Sequence, residues 1–169
     1  MLEPLRYPPI SELAQPMLRI AGLRINPNTN GQHRQPYSVS LTLRNVADGK
    51  ETKVAVPAGA QLISASWAPD GKHLAVGNVT PTGVELWIVD TTTAKATKIN
   101  GVKINTAFGG FDWEDSKTIS ATLVNSKRGP APAYQNLIPG EPNIQETSGR
   151  ASSIATVQDL LKTPNDERL

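Results

Sequence analysis

The chain has 169 residues, a net charge of +2 and no cysteine. Its 17 basic residues are scattered among 15 acidic ones, with Lys127 and Arg128 the one adjacent pair, so a basic surface for nucleic acid is not expected. Without cysteine neither a disulfide framework nor a thiolate metal site can form, and no apolar run approaches the ~20 residues of a membrane helix. We therefore expect a soluble protein that is rich in turns, because 14 Pro and 13 Gly interrupt long helices.

Residues 1–36 are expected to form an extended N-terminal segment that includes a first strand. Met1 is not followed by a basic stretch that leads into an apolar one, so no signal peptide is expected within these residues.

Residues 37–124 contain two motifs, and each of them occurs twice. The stretch SWAPDGK at 66–72 returns as DWEDSK at 112–117, and VELWIVD at 84–90 matches VSLTLRN at 39–45. The spacing is 46 residues for the first pair and 45 for the second. Two different motifs that recur at nearly one spacing predict a repeat architecture.

The complete copy of the repeat predicts four antiparallel strands. The turn APDG follows the first strand, because Pro presets φ for a turn and Gly accepts a positive φ. In the second strand Leu74 and Val76 alternate with smaller or polar residues, which is expected when one face of the strand is buried. The four strands are predicted at 63–67, 72–78, 84–90 and 95–99.

Four antiparallel strands in about 45 residues is the size of a β-propeller blade. Residues 37–56 would supply the last two strands of one blade, 62–99 a whole blade, and 105–124 the first two strands of a third. The predicted fold class is therefore all-β, an incomplete β-propeller of about two four-stranded antiparallel blades. Closed propellers need about 4 to 8 blades, so we interpret the chain as a piece of a larger protein.

The repeated tryptophans are expected to pack between neighbouring sheets, where each indole N–H finds one acceptor. An aromatic platform for carbohydrate or peptide is the alternative. The structural blade motif is assigned to Trp67, Pro69, Asp70, Gly71, Trp87 and Trp113.

The pattern changes after residue 124. Residues 125–153 read as a Pro-rich loop, and 154–169 as a short helix followed by the start of a truncated second helix. The face of the short helix is marked by Ile154, Val157, Leu160 and Leu161. This part of the chain is expected to line a cavity or to dock on a neighbouring domain.

The blade motif resembles that of propellers in the prolyl oligopeptidase family of serine peptidases and in the TolB-like periplasmic propellers. Further stretches resemble the N-terminal propeller portion of glutamyl endopeptidases, which are relatives within that family. These stretches are PPISELA at 8–14, AGLRINP at 21–27, GVELW at 83–87, SKRGP at 126–130 and VQDLLK at 157–162.

The resemblance implies a substrate-gating, non-catalytic propeller. In that family the propeller covers a C-terminal α/β-hydrolase domain that carries the Ser, Asp and His, and the enzyme cleaves peptide bonds after Glu. The expected partners are a peptide substrate and that hydrolase domain, with no cofactor and no metal. Homo-oligomerisation through exposed blade edges is a further expectation. The resemblance implies a protein that is periplasmic or secreted in bacteria, or located in the plastid. The alternative is a non-enzymatic TolB-like module for protein–protein binding.

No catalytic residue is assigned to this chain. The G-x-S-x-G string of a nucleophile elbow is absent from the sequence. Arginine pairs with carboxylate through two parallel hydrogen bonds, so five arginines are candidate partners for an acidic substrate, although a structural role is the commoner one. They are Arg24, Arg34, Arg44, Arg128 and Arg150.

Other polar residues are interpreted as structural. His73 is expected on the solvated surface, and the two histidines, His33 and His73, are not expected to form a metal site. The carboxylates of Asp112, Glu114 and Asp115 lack the spacing of a calcium loop and are interpreted as turn residues. The Asn-Val-Thr sequon at 78–80 is attributed to chance.

Overall fold

The computed structural model describes residues 1–5, 7, 9–129 and 149, and this part of the chain is all-β. Its helical segments are a one-turn helix, α1 (Ile10–Leu13), and a 3-10 turn, Ser126–Arg128. In chain order the strands are β1 (Leu2–Pro4), β2 (Leu18–Ile20), β3 (Leu23–Asn26), β4 (Gly31–Gln32), β5 (Ser38–Arg44), β6 (Glu51–Lys53), β7 (Leu62–Trp67), β8 (His73–Thr80), β9 (Gly83–Asp90), β10 (Lys95–Lys98), β11 (Phe111–Trp113) and β12 (Ile119–Ala121).

Strands β7 to β10 form a meander in which each strand pairs with the next one along the chain. The pairing of β8 with β9 runs without interruption from His73 opposite Asp90 to Thr80 opposite Gly83. These are the four strands predicted between residues 62 and 99, and no observed bound differs from its predicted one by more than two residues. Short turns rich in Pro, Gly, Asp and Thr set these bounds, because they fix the backbone locally.

Both faces of the meander are buried. On one face Leu74 and Val76 pack with Leu41 and Val54 from the β5–β6 hairpin. The prediction that β8 buries one face was therefore wrong, since the other face also carries a core. That second cluster contains Ile63, Ala75, Val84, Leu86 and Ile104, with Trp113 and Ile119 of the β11–β12 hairpin packed against it.

Gly77 leaves room beside β8 for side chains of the two neighbouring strands, β7 and β9. A Cβ at this position would lie 2.9 Å from Ile63 Cγ1 and 3.3 Å from Val84 Cγ1. The missing side chain therefore leaves the space that the larger neighbours fill.

The β5–β6 hairpin is joined to the meander at one end only. Ser38 of β5 pairs with Leu62 of β7, after which β5 diverges from β7 and pairs with β6, with Thr42 opposite Lys53. On its other edge β5 pairs with β1. The first predicted partial blade thus shares one continuous sheet with the meander, through a single residue pair.

A β-bulge interrupts β7. The register with β8 shifts by one residue between Ile63 and Ser66, and Ser64 adopts a φ of 52°. After the bulge Trp67 lies opposite Leu74, so the indole is on the same face as Leu74.

Two smaller sheets complete the described part. Strands β2, β3 and β4 form one of them, and β11 pairs with β12 to form the other. Ile104 links β9 to the last layer, because it bridges Val84 on one side and Leu123 on the other. The predicted helices at 154–169 and most of the Pro-rich loop, from residue 130 to 148, lie outside the described residues.

Candidate functional site

The turns of the two repeated motifs are built by the same hydrogen bond. Asp70 Oδ1 accepts the backbone N–H of Lys72 at 2.9 Å, and Asp115 Oδ1 accepts that of Lys117 at 2.6 Å. Gly71 has a φ of 68°, as predicted for this turn. The N–H of Lys117, followed by the Thr118 hydroxyl, holds the pKa of Asp115 below its usual value. Both side chains thus have a structural role.

The second motif repeats its turn in the same way. Asn45 Oδ1 accepts the N–H of Ala47 at 2.9 Å, and Asp90 Oδ1 accepts that of Thr92 at 2.9 Å. Asp90 also accepts the N–H of Thr93, which is the first cause of its lowered pKa. The sequence repeat is therefore a structural repeat at the level of individual hydrogen bonds.

Each of the two repeated tryptophans, Trp67 and Trp113, faces the layer that precedes it in the chain, but the two side chains differ in burial. Trp113 is half-buried against the meander, and its indole N–H donates to the carbonyl of Ser66 at 3.0 Å. Trp67 faces the β5–β6 hairpin, which likewise precedes it in the chain, but it is 55% exposed. Trp113 thus meets the expectation for a residue packed between layers, whereas Trp67 lines an open cleft with Leu41 and Leu43.

A row of polar side chains crosses one end of the meander. At its centre Glu85 accepts hydrogen bonds from Lys98 Nζ at 2.5 Å and from the Trp87 indole at 2.9 Å. Asn78 also donates to Glu85, at 3.4 Å. Burial acts to raise the pKa of Glu85, but these donors outweigh it and hold the pKa below its usual value. The carboxylate is thus kept ionised as the hub of a strand-to-strand network.

Tyr37 extends this polar region towards the N-terminal segment. Its hydroxyl donates to Glu12 Oε1 at 2.5 Å, so it ties α1 to the start of β5. Burial, and then the Glu12 carboxylate, raise the pKa of Tyr37 to about 12. The pairing of residues 12 and 37 had no signal in the sequence, whereas Glu85 was detectable as the one acid in the interior of the apolar strand β9.

A polar cavity of about 840 Å³ lies beside this row. Its wall carries Glu85 with three cationic side chains, Lys98, Lys103 and Arg128. Lys98 is paired with Glu85, and Lys103 Nζ donates to the carbonyl of Thr82 at 2.8 Å. Both lysines therefore have structural partners, and the cavity wall carries more positive than negative side chains.

The structure does not bring the candidate arginines together. Arg24 is in β3, and Arg44 forms an exposed ion pair with Glu51 at 3.9 Å. Arg34 has a φ of 60° in the segment before β5. Arg128 alone among those described borders the polar cavity, and Arg150 lies outside the described residues.

The histidines and the acidic cluster do not form a reactive site. His33 contacts the carbonyl of Gln15 at 3.2 Å. The ring of His73 lies 6.4 Å from that of Trp113, so this residue is half-buried and not solvated as predicted. Within residues 1–5, 7, 9–129 and 149, no group of three His, Asp or Glu side chains is arranged to hold a metal ion. Asn78 of the sequon is 5% exposed, so its amide is poorly placed for glycosylation.

An apolar groove, the β9–β12 groove, separates the outer half of the meander from the β11–β12 hairpin. Its volume is about 590 Å³. Aliphatic side chains dominate its walls: Leu86, Ile88, Ile99, Val102, Ile119 and Leu123, with Trp113 at one end.

The chain is similar to one region of two much longer proteins. It is 31% identical, over 178 aligned positions, to the probable glutamyl endopeptidase, chloroplastic, of Oryza sativa subsp. japonica, covering 96% of this chain and 19% of that protein. It is 27% identical to the protein of the same name from Arabidopsis thaliana, covering 96% of this chain and 18% of that protein. The chain thus spans about a fifth of the length of these curated relatives.

The other comparisons give no match. No protein-family model matches the sequence, and no solved structure matches the fold. In the part of the chain that the structure describes, no helix is long and apolar enough to cross a membrane.

Proposed function

We propose that the chain is part of the N-terminal propeller of a serine endopeptidase that resembles glutamyl endopeptidase. In this proposal it controls the access of peptides and does not cleave them. The observation that carries the proposal is the similarity over 96% of the chain to two proteins of that name. An α/β-hydrolase domain elsewhere in the proposed parent protein would supply the catalytic Ser, Asp and His and cleave after Glu.

The layered arrangement of the described strands supports the propeller interpretation. The β5–β6 hairpin, the meander and the β11–β12 hairpin stack in chain order around two apolar clusters. Their turns repeat at 45-residue spacing, and both repeated indoles face the preceding layer. Propellers are built from such small antiparallel sheets, repeated radially.

Two assays test the proposal. The 169-residue chain, incubated with a chromogenic peptide that carries Glu before the reporter group, is expected to give no turnover above buffer. The reading frame around the chain is expected to encode G-x-S-x-G followed by Asp and His. The protein made from that longer frame is expected to cleave the Glu peptide much faster than a matched Gln peptide.

The contradicting outcomes are distinct. Cleavage by the 169-residue chain itself would show that it is catalytic. A frame that lacks the hydrolase motif and continues in further repeats would instead favour the TolB-like binding module. Replacement of the motif serine by alanine in the longer protein is the control, since it must abolish cleavage without unfolding the propeller.

A further inference from the structure

We infer that the polar cavity beside Glu85 binds a carboxylate group of a peptide through Lys103 and Arg128. The choice of a peptide as the source of the carboxylate rests on the proposed function, whereas the preference for an anion rests on the cavity alone. An acidic side chain and a free C-terminus share this chemistry. The inference gives the chain a binding site of its own within the proposed control of peptide access.

The polar cavity lies at the end of the meander where a short turn joins the eight-residue strands β8 and β9. Its volume of about 840 Å³ falls within the ~300–1,000 Å³ of ligand pockets. Three segments form most of its wall, at residues 80–83, 101–103 and 123–129. Hydroxyl and amide groups line it as well, so the wall can form hydrogen bonds with a polar ligand; they belong to Thr80, Thr82, Asn125 and Ser126.

The acidic side chain on the wall is already occupied. Within the described part of the chain Glu85 is the one acid that lines the cavity. Its Oε1 accepts from Lys98 Nζ at 2.5 Å, and its Oε2 accepts from the Trp87 indole at 2.9 Å. The positive charge of Lys98 is thus balanced within the meander. Lys103 and Arg128 remain as positive charges on the wall that Glu85 does not balance.

Lys103 is held in place without being neutralised. Its Nζ donates to the carbonyl of Thr82 at 2.8 Å, and its stem lies across Gly83, where a Cβ would be 3.0 Å from Lys103 Cδ. A carbonyl accepts a hydrogen bond but carries no net charge. Neither ion pair among the described residues includes Lys103. An ammonium group has more than one N–H donor, so an anion can accept from it while the bond to Thr82 is kept.

A capped turn places Arg128 on the same wall. Asn125 Oδ1 accepts the N–H of Lys127 at 2.9 Å, and the N–H of Arg128 donates to the Asn125 carbonyl at 3.1 Å. These bonds fix the backbone from which the guanidinium reaches the cavity wall. A guanidinium matches a planar carboxylate with two parallel hydrogen bonds, and an ammonium adds a point charge. Together the two side chains favour an anionic ligand.

Peptide binding to the 169-residue chain tests the inference. The probes carry an uncharged fluorophore at the N-terminus and are Ala-Glu-Ala amide, Ala-Gln-Ala amide and Ala-Gln-Ala with a free C-terminus. We expect at least one of the two carboxylate peptides to bind at least about tenfold more tightly than the neutral amide at low ionic strength. Fluorescence anisotropy measures the three affinities, and the tighter carboxylate peptide identifies the source of the carboxylate.

Charge-removing variants locate the binding site. Lys103→Gln is expected to weaken the binding of the carboxylate peptide by about fivefold or more. Lys53→Gln is the matched control, because it removes the same charge from the exposed strand β6, outside the cavity wall, and it is expected to leave the affinity unchanged. Arg128→Gln repeats the test if Lys103→Gln fails to fold. Far-ultraviolet circular dichroism of every variant confirms that the strands are retained.

Three outcomes would overturn the inference. These are equal binding of the neutral and the carboxylate peptides, an equal loss of affinity in Lys103→Gln and Lys53→Gln, and inorganic phosphate binding at least as tightly as the carboxylate peptides. The second would show that the net charge of the chain attracts the peptide, and the third would identify an unselective anion site. None of them changes the outcome of the cleavage assays on the longer protein, so failure of this inference is distinguishable from failure of the proposed function.

Discussion

At the scale of single residues, Tyr37 connects parts of the chain that no local pattern links. Its bond to Glu12 spans 25 residues, and neither residue belongs to a repeated motif. The sequence could predict the turn roles of Asp70 and Asp115, because an Asx turn depends on neighbours two residues away. It could not predict the partner of Tyr37, which depends on how α1 packs beside β5.

Tyr37 is expected to make the free energy of unfolding fall at alkaline pH. Its folded pKa of about 12 lies above the usual value of about 10 for a tyrosine, so the stability it contributes is complete below pH 10 and is lost as the pH rises towards 12. We expect Tyr37→Phe to reduce the loss of unfolding free energy over this range. Below pH 10 the variant is expected to lose about 0.5–1.5 kcal/mol, the value of one hydrogen bond.

Urea unfolding followed by circular dichroism, from neutral pH upward, measures both effects. Tyr7, which is 88% exposed, provides the control Tyr7→Phe. An alkaline loss of stability that is equal in the Tyr37→Phe variant and the parent chain would show that other groups cause it.

At the scale of elements, β7 and β11 carry equivalent tryptophans, but β7 belongs to a four-stranded layer whereas β11 belongs to a layer with two strands in the described part of the chain. The strands of the meander could be predicted because each is bounded by strong turn residues. The bulge in β7 could not, since a positive φ at Ser64 has no signature in a serine. The burial of His73 was also missed, because it depends on the ring of Trp113 in another layer.

The two indoles should therefore differ in what they contribute. Trp113→Phe removes the bond to the Ser66 carbonyl and part of a buried ring, so we expect a loss of about 1–3 kcal/mol in unfolding free energy. Trp67→Phe changes a largely exposed ring and is expected to cost less than about 1 kcal/mol. Urea midpoints of the two variants make the comparison, and equal losses would contradict the assigned difference in packing.

At the scale of the whole molecule, the meander is the middle layer and contributes to both core clusters. The sequence repeat predicted consecutive sheets, but it did not predict that β8 is covered on both faces. Alternation of large and small residues suggests one buried face, whereas here the small residue Ala75 is itself part of the second core cluster. Only contacts between layers distinguish the two cases.

A cavity in the middle layer should destabilise the whole described fold. Leu74 is 2% exposed, and we expect Leu74→Ala to lower the unfolding free energy by about 2–5 kcal/mol. Leu123→Ala, at a residue 51% exposed, is expected to cost less than about 1 kcal/mol. Because the two clusters share one sheet, circular dichroism and tryptophan fluorescence should report the same urea midpoint, and separate midpoints would show that the layers unfold independently.

The extra residue in β7 also sets the odd–even phase of that strand. Leu62 and Trp67 are five positions apart, so a regular strand would point them to opposite sides. With the bulge both lie on the side of Leu74. The indole of Trp67 therefore faces the layer that precedes it in the chain, as the indole of Trp113 does. A regular strand of the same length would instead turn the ring of Trp67 to the far side, towards the β11–β12 hairpin. Deleting Ser64 would remove the extra residue, leave the two side chains four positions apart and so keep both on the side of Leu74 without a bulge.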